Sequence, residues 1–254
     1  MPRISKTIIP RIKQSLRDRG LATTVFRSVL LPVHLFKEYR AAQTQRPDSF
    51  LSEFDQQHGV DTEGKFGGWT YLSDLDIPSS NWFDGNDYAA IEPARFRKVL
   101  ASLPIAFDEY TFIDFGSGKG RALLLASEFP FKRIIGLEFS PELHRNAEEN
   151  IAHYRPHVSN AQKCRDIRSV NTDFLDYSIP SEPSVLFFFH PCKTRMLSRV
   201  IDRIGQSLRS APRPLYIVYV AATQAEENLL SSAEFLKEIF RSVEFNFCVY
   251  QTYP

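Results

Sequence analysis

From Pro93 onward the chain switches repeatedly between two hydrophobic periods. Short runs that are apolar on both faces, within 111–115, 133–138, 184–189 and 215–221, are separated by stretches with helical spacing. Runs of that kind are what a parallel sheet covered on each face by helices requires. The pattern predicts helix over 94–103, strand 111–115, helix near 119–129, strand 133–138, helix near 141–153, strand near 167–172, strand 184–189, helix near 194–209 and strand 215–221. In the last of these helices Met196, Leu197, Val200, Ile201, Ile204 and Leu208 form one apolar stripe with Arg199, Asp202 and Arg203 outside it, the mark of a surface helix on a sheet. A helix near 225–230 then precedes an expected antiparallel hairpin of 235–240 and 243–250 turning at Arg241-Ser242. The fold class expected is α/β, a doubly wound and mostly parallel Rossmann-like sheet.

Ahead of this alternation the pattern changes twice. Residues 1–47 carry 10 Lys and Arg against Asp18 and Glu38, which leaves 21 basic and 28 acidic residues, a net of −7, for the rest of the chain. Val25, Phe26, Val29, Leu30 and Val33 share one helical face there, so a basic helical arm is expected, with peripheral membrane or subunit contact as its role. Residues 48–91 are aromatic, polar and rich in turn sequences such as Gly67-Gly68-Trp69 and Gly85-Asn86-Asp87-Tyr88. A loop region of that length inside a compact chain is usually either functional or poorly ordered, and since both tryptophans lie in it, it is expected to be ordered and to cap or wrap the body formed by 92–254.

Composition narrows the class without naming an activity. The 254 residues are 43% apolar and 24% charged, ordinary for a globular protein, and 21 Phe with 10 Tyr point to a large core. Cys164, Cys192 and Cys248 lie far apart with no disulfide or metal-ligand spacing, so a reducing cytoplasmic setting is expected and no metal site. No apolar run has the length of a signal peptide or a membrane span.

Candidate chemistry centres on Asp114-Phe115-Gly116-Ser117-Gly118-Lys119-Gly120, a strand end followed by a glycine turn. Glycines let the backbone approach a ligand closely. A phosphate-binding P-loop is excluded, because Gly120 rather than a hydroxyl residue follows Lys119. The dinucleotide fingerprint GxGxxG is also missed, since the spacing is GxGxG, and the leading acid suits a cationic ligand better than a pyrophosphate. Two further acids end the next strands. Glu138 is placed to accept from ribose hydroxyls and Asp173 from an adenine amino group, with Phe174 against the ring.

Taken together, the glycine turn, Glu138 and Asp173 resemble the successive cofactor motifs of class I S-adenosylmethionine-dependent methyltransferases, over roughly residues 92–221. The resemblance implies S-adenosyl-L-methionine as cofactor, a seven-stranded sheet, and a cofactor set of Asp114, Gly116, Ser117, Gly118, Gly120, Glu138, Phe139, Asp173 and Phe174, to which the expected cap adds Tyr88. More narrowly, 112–126, Gly136-Leu137-Glu138-Phe139-Ser140-Pro141 and the upstream Gly59-Val60-Asp61-Thr62 resemble a bacterial group of this class that has no established substrate. Where such proteins often end the fourth strand in Asn-Pro, this chain has His190-Pro191-Cys192, so amino-group methylation does not carry over.

His190 is the candidate general base, because a neutral imidazole accepts a proton near pH 7. Tyr88, Asp61 and Trp82 are candidates for closing the cap over the cofactor. Cys192 reads as a buried filler, and Lys119 and Arg121 as solvent-facing charges. The acceptor is expected to be a small molecule or a protein, since the body's negative charge argues against extended nucleic-acid binding. A cofactor-binding regulator without catalysis and a nicotinamide-dependent oxidoreductase stand as alternatives.

Overall fold

The computed structural model describes residues 52–64, 68–156 and 161–253; the expected basic arm lies outside them. Leu51–Pro254 forms one compact unit. In chain order its elements are α1 (Glu53–His58), β1 (Trp69–Thr70), β2 (Tyr88–Ala89), α2 (Pro93–Ala101), β3 (Thr111–Phe115), α3 (Arg121–Ala126), β4 (Arg133–Glu138), α4 (Pro141–His153), β5 (Ile167–Asn171), β6 (Ser184–Phe189), α5 (Thr194–Ser210), β7 (Leu215–Val220), α6 (Gln224–Ser232), β8 (Leu236–Ser242) and β9 (Phe247–Thr252).

Seven strands form one sheet in the order β5-β4-β3-β6-β7-β9-β8, parallel from β5 to β7, with β9 antiparallel to both of its neighbours. That terminal hairpin departs from the 3-2-1-4-5-6 order of a dinucleotide-binding sheet, because the last strand inserts beside the fifth. The order also fixes where a ligand belongs. From β3 the chain winds outward through β4 and β5, then returns to build β6 and β7 on the other side. The carboxyl ends of β3 and β6 therefore part at a topological switch point, where open α/β sheets leave a crevice.

The two faces of the sheet carry separate cores. On one, Phe96, Phe112 and Phe187 meet edge to face or tilted at 5.2–6.0 Å, beside Leu123, Leu124 and Leu125 of α3. On the other, Phe115, Phe188 and Tyr219 stack at 4.6 and 5.6 Å beneath Met196, Leu197, Val200 and Ile204 of α5. Among the described residues most aromatic side chains are buried in these two cores or packed against them.

Local signals set the element ends that face the crevice. Helix α4 starts at Ser140, whose hydroxyl accepts from Leu143 N at 3.3 Å, with Pro141 pre-set in the first turn. Ser140→Ala should cost about 1 kcal/mol in urea unfolding; an unchanged midpoint would show that this cap contributes nothing. The expected hairpin turn at Arg241-Ser242 is corrected. Both residues belong to β8, and the chain reverses over 243–246, where Asn246 takes a left-handed φ of 46° that a β-branched residue would resist.

Candidate active site

The crevice is a cleft of about 740 Å³, open solvent at its mouth included. One wall comes from the strand ends, with Asp114, Gly116, Ser117, Glu138, Phe139, Asp173 and Phe174. The other comes from Gly85–Ile91 of the cap and from His190-Pro191 after β6.

Asp114 is buried, and no hydrogen bond reaches its carboxylate from the described residues. Burial, and then the neighbouring Glu138, hold its pKa well above the ordinary carboxylate range. Glu138 accepts from Gly118 N through one carboxylate oxygen and from Ser140 N through the other, each at 2.8 Å. Burial still pushes it up to about 7 against those bonds. Ser117 Oγ is buried without a partner in the same wall. Two buried acids and an orphan hydroxyl facing one cleft are costly in isolation, and a cation carrying hydroxyl donors would satisfy them.

The glycine turn is shaped by what covers it. A side-chain carbon on Gly116 would lie 2.8 Å from Pro191 Cβ, and one on Gly118 would overlap the Tyr88 ring. Tyr88 is held there by its hydroxyl, which donates to Thr62 O at 2.6 Å. Gly118 and Gly120 lie behind the cleft wall; Gly120 starts α3 against Ala147 of α4. Phe174 lines the cleft and packs on Phe115 at 5.8 Å. Asp173 reaches the wall too, but its carboxylate already binds the cap, accepting from Ser79 Oγ at 2.7 Å, Asn81 Nδ2 at 2.8 Å and Leu175 N at 2.9 Å. An adenine amino group would have to share it.

The charges expected to face solvent in the turn do not. Lys119 is 2% exposed and pairs with Asp61 at 2.9 Å, and Arg121 is 4% exposed. Arg121 donates to Thr62 Oγ1 at 2.6 Å, Ser52 Oγ at 2.9 Å and Asp55 Oδ1 at 3.2 Å, pairs with Glu63 at 2.9 Å, and covers the Phe54 ring at 5.1 Å. Asn150 completes the clamp, bonding Asp61 N, Asp61 O and Lys119 O at 2.8–2.9 Å. The Gly59-Val60-Asp61-Thr62 stretch is therefore what locks α1 onto the glycine turn. Asp61 works from behind the turn and does not line the cleft. Nor does Trp82, which is buried and stacked on Phe83 at 4.1 Å. Of the three cap candidates only Tyr88 lines it.

On the far side the cap is zipped to the loop after β6. Asn86 N donates to Pro191 O and Asn86 Nδ2 to His190 O, both at 3.0 Å, Gly85 bridges Cys192, and Asp84 pairs with Arg195 at 2.6 Å. Cys192 is a buried filler whose thiol burial pushes up to about 12. His190 takes φ 43°, a left-handed conformation that non-glycine residues adopt rarely and mostly where surrounding structure enforces it. Its ring is half-buried, with Nδ1 inside, 3.2 Å from Glu226 Oε2 of α6. Sequence reasoning did not find Glu226. Its signal was the capping pattern Thr223-x-x-Glu226, which gives no hint that the glutamate is buried.

Among the described residues no helix is long and apolar enough to cross a membrane. No protein-family model and no curated protein matches the chain, so the narrower bacterial resemblance has no independent support. Solved structures with similar folds include a predicted N6-adenine-specific DNA methylase from Listeria monocytogenes, 13% identical, TM-score 0.47, over 65% of this chain and 51% of that one. Another is the tRNA (m1A58) methyltransferase from Aquifex aeolicus, 16% identical, TM-score 0.42, over 64% and 69%. A third is an RNA methyltransferase from Salinibacter ruber in complex with S-adenosyl-L-homocysteine, 16% identical, TM-score 0.40, over 65% and 92%. The match thus spans about half the length of the Listeria protein, and all three are described as methylases or methyltransferases.

Proposed function

We propose that the protein is an S-adenosylmethionine-dependent methyltransferase that holds its cofactor in the switch-point cleft. The observation that carries this reading is the buried Asp114, without a hydrogen-bond partner among the described residues, beside Glu138 and the orphan Ser117 hydroxyl, all facing one cleft. Bound there, S-adenosylmethionine supplies a methyl carbon activated by a sulfonium.

The residues of the cleft have separate tasks. Asp114 accepts from the ammonium end and Glu138 from the ribose hydroxyls, while Phe139, Phe174 and the aromatic side of Tyr88 exclude water around them. Asp173 contributes mainly by tying Ser79 and Asn81 to the strand end, which keeps the cap in place. Methyl transfer is an in-line displacement, so holding the acceptor in register supplies much of the rate, and the cap stretch Gly85–Ile91 with the His190 loop forms the wall that does so.

A nicotinamide dinucleotide suits the cleft poorly, because its pyrophosphate would approach two buried acids. The nucleic-acid enzymes among the fold neighbours run against the expectation, drawn from the body's charge, that this protein avoids nucleic acid. Nucleic acid therefore joins small molecules and proteins among the acceptors to be sampled.

The test is transfer of labelled methyl from S-adenosylmethionine into lysate separated into protein, nucleic-acid and small-molecule fractions. Label in one fraction, lost on Glu138→Gln, is the expected result. Cofactor binding without label in any fraction would favour the non-catalytic regulator.

A further inference from the structure

Glu226 is 1% exposed, yet it comes from the first turn of α6, where a glutamate of a capping box usually meets water. Its Oε2 accepts from Thr223 N at 2.7 Å and Thr223 Oγ1 at 2.9 Å, and these local bonds fix its direction. Among the described residues the charge-bearing partner within ion-pair distance is His190, whose Nδ1 lies 3.2 Å from that same oxygen. The contact is an ion-pair approach rather than an aligned hydrogen bond, since Nδ1 has no hydrogen-bond partner. A carboxylate buried this deeply is stable as an anion when a cation forms beside it.

The backbone that carries the ring is fixed: Asn86 holds the carbonyls of His190 and Pro191, and His190 itself takes φ 43° just after β6, where it lines the cleft. His190 lines the cleft and 37% of its side chain is exposed, so with Nδ1 buried against Glu226 the ring nitrogen left to meet an acceptor is Nε2. A similar left-handed residue, Ala221, follows the adjacent β7 and leads the chain into the Thr223 cap.

We propose that Glu226 is a positioning residue for His190, and that the pair serves an acceptor whose attacking oxygen or nitrogen carries a proton. This rests on the methyltransferase reading. As the acceptor atom bonds the methyl carbon, its proton passes to His190 Nε2, and the electron pair of the broken carbon–sulfur bond stays with the departing thioether. The imidazolium so formed faces Glu226. A carboxylate acceptor, which has no proton to lose at neutral pH, needs no such pair.

Glu226, and not desolvation, dominates the imidazole, so the His190 pKa is raised above its ordinary value. Glu226 itself is driven up by burial but held low overall by His190 and Thr223. The other titratable groups around the pair among the described residues are Cys192 on the same loop, Tyr219 of β7, and Asp87, Asp114, Arg121, Glu138, Asp173 and Tyr88 in the cleft walls. Lys193 is turned away, donating to Phe83 O at 2.6 Å.

The experiment is an NMR titration of the histidine ring signals in the full chain and in Glu226→Gln, with His190→Asn to assign the resonance. Glutamine keeps the capping box, and asparagine tolerates the left-handed backbone, so both variants retain the fold. The His190 midpoint should fall in Glu226→Gln, while binding of S-adenosylhomocysteine, read by calorimetry, stays the same. An unmoved midpoint overturns the positioning role. The labelled product should also survive mild base; release of its label as volatile methanol would mark a methyl ester and overturn the acceptor class. Loss of cofactor binding in the unaltered protein would instead strike the methyltransferase reading, whatever the midpoint does.

Discussion

Arg121→Met is expected to lower the unfolding free energy by about 3–5 kcal/mol, because it strips the partner from a buried carboxylate while keeping most of the side-chain volume. Asp55 is 1% exposed and would keep its bonds from Thr62 N, Glu63 N and Thr62 Oγ1 but lose its cation. For a chain of this size that corresponds to a fall in melting temperature on the order of 10 °C. Adding Asp55→Asn to Arg121→Met should recover part of the loss, since the two sites share one network. The physical reason is that the guanidinium bridges α1, the Thr62 turn and α3, so the clamp on the glycine turn is electrostatic as much as apolar. A loss below about 1 kcal/mol in chemical unfolding would show that the network is effectively solvated.

Glu138→Gln is expected to weaken S-adenosylmethionine binding about 10- to 100-fold. The amide keeps one acceptor oxygen for two backbone donors, Gly118 N and Ser140 N, and turns an N–H₂ toward the remaining donor or the ligand. The unaltered protein should also show a pH dependence. Burial places Glu138 at about 7, and hydroxyl donors prefer the ionised form, so affinity should rise as the pH rises through that value and flatten in Glu138→Gln. Without ligand the same shift acts on stability in the other direction. The folded chain holds this proton more tightly than the unfolded chain, so the contribution is fully present below the ordinary carboxylate pKa and is lost as pH rises through about 7. Calorimetric titration at pH 6 and pH 8 decides the first claim, and equal affinity of the two proteins at both pH values would refute it.

The sheet was largely legible because its strands are covered on both faces. Burial on both faces leaves continuous apolar runs, and the expected limits 111–115, 133–138 and 184–189 coincide with β3, β4 and β6. The hairpin turn was misplaced because β8 lies at the sheet edge, where Lys237, Glu238 and Arg241 are exposed and polarity does not separate strand from turn. Asp114 and Glu138 could be located from strand ends alone. Lys119 and Arg121 could not, because their partners Asp61, Asp55 and Thr62 arrive from a segment some 60 residues earlier, and only the fold brings them over the turn. Glu226 was hidden for a similar reason: its spacing to Thr223 signals a helix cap, whereas its closeness to His190 depends on two adjacent strands ending together.

The most direct test of the cofactor assignment is calorimetric titration of the purified full chain with S-adenosylmethionine, with S-adenosylhomocysteine and with NADH. Micromolar binding of the first two and no heat with NADH is the expected result. Micromolar binding of NADH with none of S-adenosylmethionine would contradict the assignment and turn the cleft into a dinucleotide site.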